Sequence, residues 1–403
     1  MYTLMNRYIA KELKYSARNY NPLNVCIKSA KDIFVTDINN KKYYDFLSGY
    51  SAVNQGHCHP RLINAVKNQI NNVTLTSRAF HNNKYGNLCE YLCNTFDYEK
   101  FLPMNTGVEA GETAIKLSRK WGYETKNVEP NKAVNLFCNG NFWGRSITAC
   151  SSSNDPKSYH NFGPYTQGID LIDYNNVEQL ENKLKENQNI VSLMVEPIQG
   201  EAGIIVPSPN YLKEIKRLCK KHNVLLIFDE VQTGLGRTGK LLAGDYENVR
   251  PDILILGKSL TGGFYPGSGI LSSDKIMSLF KPGQHGSTYA GNPLVSAIIM
   301  EAVKIIFDEN LIENSYKQGK YFRKELKNMD LENVVKIRGK GLFNALEFND
   351  EKTAKKALDN LIRNGLLSQI THGKTIRLCP PLTITKKHIN KSLKIIKKSV
   401  NKM

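Results

Sequence analysis

Two short aliphatic runs constrain this chain more than anything else in it. Val224-Leu225-Leu226-Ile227-Phe228 ends on Asp229, and Ile253-Leu254-Ile255-Leu256 is followed by Gly257 and Lys258. An apolar run without alternation is a strand buried on both faces, as in a parallel sheet covered by helices. In open sheets of this kind the ligand crevice lies outside the carboxyl ends of the strands. A carboxylate and an amine are thus delivered to one rim.

An amine held partly out of water loses its proton readily and attacks aldehydes. A buried carboxylate on the neighbouring strand suits a pyridine nitrogen, so the pair matches what pyridoxal phosphate needs. A phosphate cradle is available at Asn105-Thr106-Gly107-Val108-Glu109, polar and glycine residues at the start of a strongly periodic helix. Free N–H groups and the positive helix end face an anion there. Two other motifs fail on context. Gly234-Leu235-Gly236-Arg237-Thr238-Gly239 matches a dinucleotide fingerprint, but five residues separate it from the strand. Gly257-Lys258-Ser259 resembles the end of a P-loop, yet the position that should hold the first glycine is Asp252.

Along the chain, Ile33-Phe34-Val35 and Tyr43-Tyr44-Asp45-Phe46 flank Asn39-Asn40 and predict a hairpin. A helix is expected over Val108–Trp121 and another over Tyr211–His222. Strands are expected at Ala133–Cys138, Val191–Val195, Leu225–Phe228 and Ile253–Leu256. This alternation is an α/β chain with a mostly parallel, doubly wound sheet. A long helix from Leu294 to Asp308 and short strands at Val334–Ile337, Asn344–Phe348 and Thr375–Leu378 predict a smaller α+β domain. The expected division is an N-terminal segment, 1–55, packing with the small domain and sharing its sheet, a large domain, 56–291, and a small domain, 292–403.

The net charge of +18 spread over 403 residues raises nucleic-acid binding as a possibility to weigh. The lysines are scattered, and where they concentrate, near the C-terminus, Ile389, Leu393, Ile396 and Val400 form a stripe with Lys391, Lys394, Lys397 and Lys398 off it. That pattern is a docked amphipathic helix, so no nucleic-acid partner is expected. No run is long enough for a membrane span. The eight cysteines predict reduced thiols, and residues Met1 to Ala10, with one arginine, are too short for a transit peptide, so a cytoplasmic location is expected. His57-Cys58-His59 lacks a second cluster, and no metal site is expected.

The stretches Met104–Ala114, Val195-Glu196-Pro197-Ile198-Gln199-Gly200-Glu201-Ala202-Gly203, Asp229–Gly234 and Leu256-Gly257-Lys258-Ser259-Leu260 resemble class III pyridoxal-phosphate aminotransferases. The resemblance runs from about residue 12 to the C-terminus. It implies the fold-type I architecture of pyridoxal-phosphate enzymes and the following roles. Lys258 bonds the cofactor aldehyde and moves the proton, and Asp229 pairs with the ring nitrogen. Gln232 lies near the phenolic oxygen, Phe142 stacks on the ring, and Gly107 and Val108 donate to the phosphate. Thr288 reaches the phosphate of a second subunit, which implies a homodimer.

Within that family the resemblance implies transfer of the δ-amino group of ornithine to 2-oxoglutarate. Acetylornithine or 4-aminobutyrate is the alternative amine. Arg145 takes the distal carboxylate, and Tyr20 and Tyr50 shape and hydrogen-bond the α-amino end. Arg377 binds the keto acid, and Glu201 masks Arg377 while ornithine is bound. Bidentate arginine–carboxylate pairing fixes orientation as well as affinity.

Overall fold

The computed structural model describes residues 4–401, with side chains from residue 7. A helix, Leu4–Tyr15, comes first, followed by three strands: β1 (Ile27–Lys31), β2 (Phe34–Asp37) and β3 (Lys42–Asp45). The next seven form one sheet: β4 (Lys100–Met104), β5 (Val134–Cys138), β6 (Ile169–Ile172), β7 (Ile190–Val195), β8 (Leu225–Asp229), β9 (Ile253–Leu256) and β10 (Ser268–Ser272). Their spatial order is β4-β10-β9-β8-β7-β5-β6. All neighbours are parallel except β10, which runs antiparallel to both β4 and β9.

The central strands form where the aliphatic runs predicted them. Every residue of β7, β8, β9 and β10 is buried. Each fully buried Leu or Ile contributes roughly 2 kcal/mol relative to exposure, so β8 and β9 are among the most firmly held parts of the sheet. The helix Gly107–Glu124 crosses one face, its buried side carrying Ala110, Ala114, Leu117 and Trp121. The helix Tyr211–Lys221 covers the other with Leu212, Ile215 and Leu218.

A second sheet holds β11 (Val334–Lys340), β12 (Phe343–Phe348), β14 (Ile370–Thr371) and β15 (Thr375–Leu378) in the order β11-β12-β15-β14. The N-terminal strands do not join it, contrary to the expectation of a shared sheet. They form their own sheet with β13 (Leu366–Leu367), which pairs parallel to β3. The reason is local: β15 is already flanked by β12 and β14, and β11 lies on the outside with exposed Val335 and Lys336. The N-terminal strands still pack on this half of the molecule, since Ile33 and Phe46 share a core with Phe322 and Phe348. The terminal helix Lys386–Val400 docks by Ile389, Leu393, Ile396 and Val400, with Lys391, Lys394, Lys397 and Lys398 exposed.

One buried arginine joins the three sheets' surroundings. Arg237, inside the glycine-rich stretch set aside above, has no solvent exposure. It donates to Asn54 Oδ1, to Leu342 O at 3.1 Å and to Pro380 O at 2.6 Å. His57 and His59, the isolated metal-like pair, lie against Asp45 at 2.7 Å and Glu309 at 3.0 Å.

Candidate active site

Strand register sets the rim. Val195 aligns with Phe228, and Asp229 aligns with Ile255. Glu196 and Asp229 therefore leave adjacent strands at the same level, and Lys258 follows three residues past Ile255 at the end of the next strand. Lys258 follows extended Gly257 and has φ +44°, the left-handed region that is costly for a side-chain residue. Its amine makes no hydrogen bond or ion pair among the described residues. Burial pulls the Lys258 pKa below the ordinary lysine value, and the charges of Asp229 and Glu201 oppose that pull. Asp229 is buried, which pushes its carboxyl up to about 6, against the Val231 N–H it accepts at 2.9 Å and the Lys258 charge.

The cradle forms because its own side chains leave two donors over. Asn105 and Thr106 donate their N–H groups to the Glu109 carboxylate at 3.0 and 2.7 Å, and Thr106 Oγ1 accepts the Glu109 N–H at 3.3 Å. This capping box is worth about 1 kcal/mol to the helix. The N–H groups of Gly107 and Val108 have no acceptor among the described residues. Gly107 also sits where a Cβ would come within 3.2 Å of Val231, so the cradle packs on the end of β8. An anion-binding helix start, an uncompensated carboxyl and a partnerless amine suit the phosphate, ring nitrogen and aldehyde of pyridoxal phosphate.

The second cluster centres on Arg377, whose side chain is fully buried. Its Nη1 donates to Glu201 Oε1 at 2.5 Å and its Nη2 to Gln232 Oε1 at 2.5 Å. Gln232 Nε2 in turn donates to Glu201 Oε1 at 3.1 Å. The guanidinium carbon lies 5.4 Å from the Tyr50 ring centre and 5.8 Å from that of Phe343. Burial pushes the Glu201 carboxyl up, but the Arg377 charge and the hydrogen bonds outweigh it and leave the pKa below the usual value.

The remaining expected residues surround these clusters. Phe142 is half-buried, and Arg145 is exposed with its guanidinium 5.5 Å from the Phe142 ring. Both line a cleft of about 590 Å³ with Glu201, Ile370 and Thr371. Tyr50 is half-buried at φ +58°, and Tyr20, 71% exposed, stands at the rim near enough to raise the Tyr50 pKa along with burial and Glu201. Thr288 is exposed, next to Ser287, whose Oγ accepts from Asn105 Nδ2 at 2.8 Å.

Two features of the site escaped sequence reasoning. Gln232 belongs to the Arg377–Glu201 cluster, a contact 145 residues long that no local pattern announces. Glu196 is a buried carboxyl beside Asp229. Its place just past a strand that is apolar except for Ser192 was the available signal.

Comparison with known proteins agrees with this geometry. Residues 15–400 match the family described as aminotransferase class-III. The chain is 52% identical over 392 residues to the ornithine aminotransferase, mitochondrial, of Rattus norvegicus, covering 97% of this chain and 89% of that protein. It superposes with a TM-score of 0.98 and 45% identity on the ornithine aminotransferase of Toxoplasma gondii, covering 100% of this chain and 95% of that one. That structure shows partial occupancy of pyridoxal phosphate at its active site. The acetylornithine aminotransferase of Elizabethkingia anophelis is similar too, with TM-score 0.91, 45% identity and 99% of each chain covered.

Proposed function

The chain belongs to the class-III aminotransferases, and from that premise we propose that it transfers the δ-amino group of ornithine to 2-oxoglutarate, giving glutamate 5-semialdehyde and glutamate. The observation that carries this reading is the masked Arg377. Ornithine has an amine at each end and one carboxylate, so a bare arginine in the pocket would seat it backwards and expose the α-amine to reaction. Glu201 and Gln232 occupy the two terminal guanidinium nitrogens, Nη1 and Nη2, and remove that option. A keto acid with two carboxylates can replace Glu201, and a buried arginine must keep some anionic partner.

When bound, pyridoxal phosphate supplies the aldehyde and the electron-withdrawing ring that stabilises charge at the substrate carbon. Lys258 would hold the aldehyde in the resting enzyme and, once the incoming substrate amine has displaced it from that carbon, its freed amine would take the proton from the carbon bearing the reacting amine, a role suited to an amine whose proton affinity is lowered by burial. With the group bound, Asp229 would hold the proton on the ring nitrogen, Phe142 would cover the ring, Gln232 would face the phenolic oxygen, and the Gly107 and Val108 N–H groups would take the phosphate. Arg145, unpaired at the mouth among the described residues, takes the ornithine carboxylate, and Tyr20 and Tyr50 position the α-ammonium end.

The active unit is a homodimer in which Thr288 reaches the partner's phosphate, supported by the exposure of Thr288 beside Ser287. The chain divides into a segment to residue 55, a large domain to 291 and a small one to 403, supported by the seven-stranded sheet, whose strands all fall within 56–291, while the N-terminal strands share a sheet with β13 of the small domain. A cytoplasmic location is supported by eight free thiols, although the rat relative is named mitochondrial. No helix among the described residues is long and apolar enough to cross a membrane.

Acetylornithine is the second reading, favoured by the Elizabethkingia likeness. Tyr20 and Tyr50 at the pocket favour free ornithine, because hydroxyls can accept from an α-ammonium that acetylation removes. The test is a visible spectrum of the loaded protein before and after adding ornithine, with product analysis. Bleaching by ornithine with release of the semialdehyde supports the reading. An unchanged spectrum with ornithine, but bleaching by acetylornithine, overturns it.

A further inference from the structure

Glu196 is a buried carboxyl beside Asp229 that the chemistry above does not use. It is the first residue past β7, 6% exposed, with no cation in ion-pair contact among the described residues. Its two oxygens accept from two separate loops. Oε1 takes the Phe142 N–H at 3.1 Å, and Oε2 takes the Gly200 N–H at 2.9 Å. The backbone on its far side is held as well, since the Tyr174 hydroxyl donates to Glu196 O at 3.2 Å and Pro197 O at 2.9 Å.

Each of those loops carries one half of the site. Phe142 is the aromatic over which Arg145 lies, and Gly200 precedes the masking Glu201. Gly200 is packed so closely that a Cβ there would come within 2.8 Å of Gln232 Oε1. The contacts thus run from Phe142 through the Glu196 carboxyl to Gly200, and on to Gln232, Glu201 and Arg377. We propose that Glu196 is a positioning residue that fixes the ring-covering Phe142 loop and the Glu201–Arg377 gate at one spacing. It is the link by which the two move together or not at all.

The chemistry of the group fits this role. Burial beside the Asp229 and Glu201 charges pushes Glu196 up to about 8, against the two N–H bonds. A carboxyl group accepts from both loops at once, one N–H at each oxygen. A glutamine has only one accepting oxygen, and an alanine none.

The inference rests on the proposed placement of the cofactor under Phe142, so its test includes a measurement independent of that placement. Amide hydrogen exchange is followed in the pyridoxal-phosphate-loaded protein for wild type, Glu196→Gln and Glu196→Ala. The expected result is exchange at both Phe142 and Gly200 accelerated about tenfold or more in Glu196→Ala, and at one of the two in Glu196→Gln. A double-mutant cycle between Phe142→Leu and Glu201→Ala, read as the dissociation constant of pyridoxal phosphate, is then expected to be non-additive in wild type and additive in Glu196→Gln. Protection unchanged at both amides in Glu196→Gln, or a cycle equally non-additive in both backgrounds, overturns the proposal. If Glu196→Ala does not fold, the glutamine variant alone decides it.

Discussion

Glu201 Oε1 and Arg377 Nη1 lie 2.5 Å apart, and Gln232 accepts from the other guanidinium nitrogen at the same distance. The pair therefore has a third member that remains when Glu201 leaves, and Arg377 is never stripped of partners. Removing Glu201 should free Arg377 for any α-carboxylate. In Glu201→Ala, the δ-to-α selectivity for ornithine is expected to fall about tenfold or more, measured from the ratio of semialdehyde to α-keto product. Unchanged selectivity would mean Arg377 is not what the mask hides.

The same pair sets an acid limit. The Glu201 pKa is lower in the folded protein than in the unfolded chain. Its contribution to stability is thus present above the unfolded carboxylate range and lost as pH falls through the lowered value. The gate is expected to stay shut across neutral pH, with the selectivity of the wild type flat from pH 6 to pH 8. A selectivity that drifts in that window would remove Glu201 as the controlling group.

Buried carboxyls with raised values act in the opposite sense. Glu196 is pushed up to about 8 and Glu230 to about 7, both chiefly by burial. The unfolded chain releases these protons near 4.3, so their stabilisation is complete below that pH and fades as pH rises through 7 and 8. The melting temperature of the cofactor-free protein is expected to fall between pH 6 and pH 8.5, with a shallower slope in Glu230→Gln. A slope unaltered by the substitution counts against the assignment.

Lys258→Ala is expected to lower turnover of ornithine by roughly a thousandfold, the middle of the range a positioned base contributes. Borohydride reduction of the loaded wild type should leave a pyridoxyl adduct on Lys258. An adduct on another lysine would relocate the site.

Arg237→Met tests the fold rather than the chemistry. The loss would leave Asn54 Oδ1 and the carbonyls of Leu342 and Pro380 short of a donor inside the protein. Denaturant titration should register a loss of about 3 kcal/mol or more, with KM for both substrates little changed in the fraction that stays folded.

Sequence legibility followed local chemistry. β8 and β9 were visible because four or five consecutive aliphatics have no other stable home, and Thr375–Leu378 emerged with its bounds intact. β10 was not visible: Ser268-Gly269-Ile270-Leu271-Ser272 has two large apolar residues and is buried by its neighbours, not by its own composition. β4 carries Pro103, a residue that argues against a strand, and β6 is four residues long. The rim residues Asp229 and Lys258 stood out as charges ending apolar runs. Glu196 did not, nor did the link of Gln232 to Arg377 and Glu201, because both depend on partners brought to them by the fold.

The bonds of Arg237 reach the N-terminal segment at Asn54 and the C-terminal half at Leu342 and Pro380, all from a loop that follows β8. A buried rivet of this kind resists rotation of one half of the molecule against the other. On the proposed reading, admitting the keto acid then asks only that the Glu201 carboxylate swing aside, a movement small enough to repeat in every cycle without disturbing the scaffold.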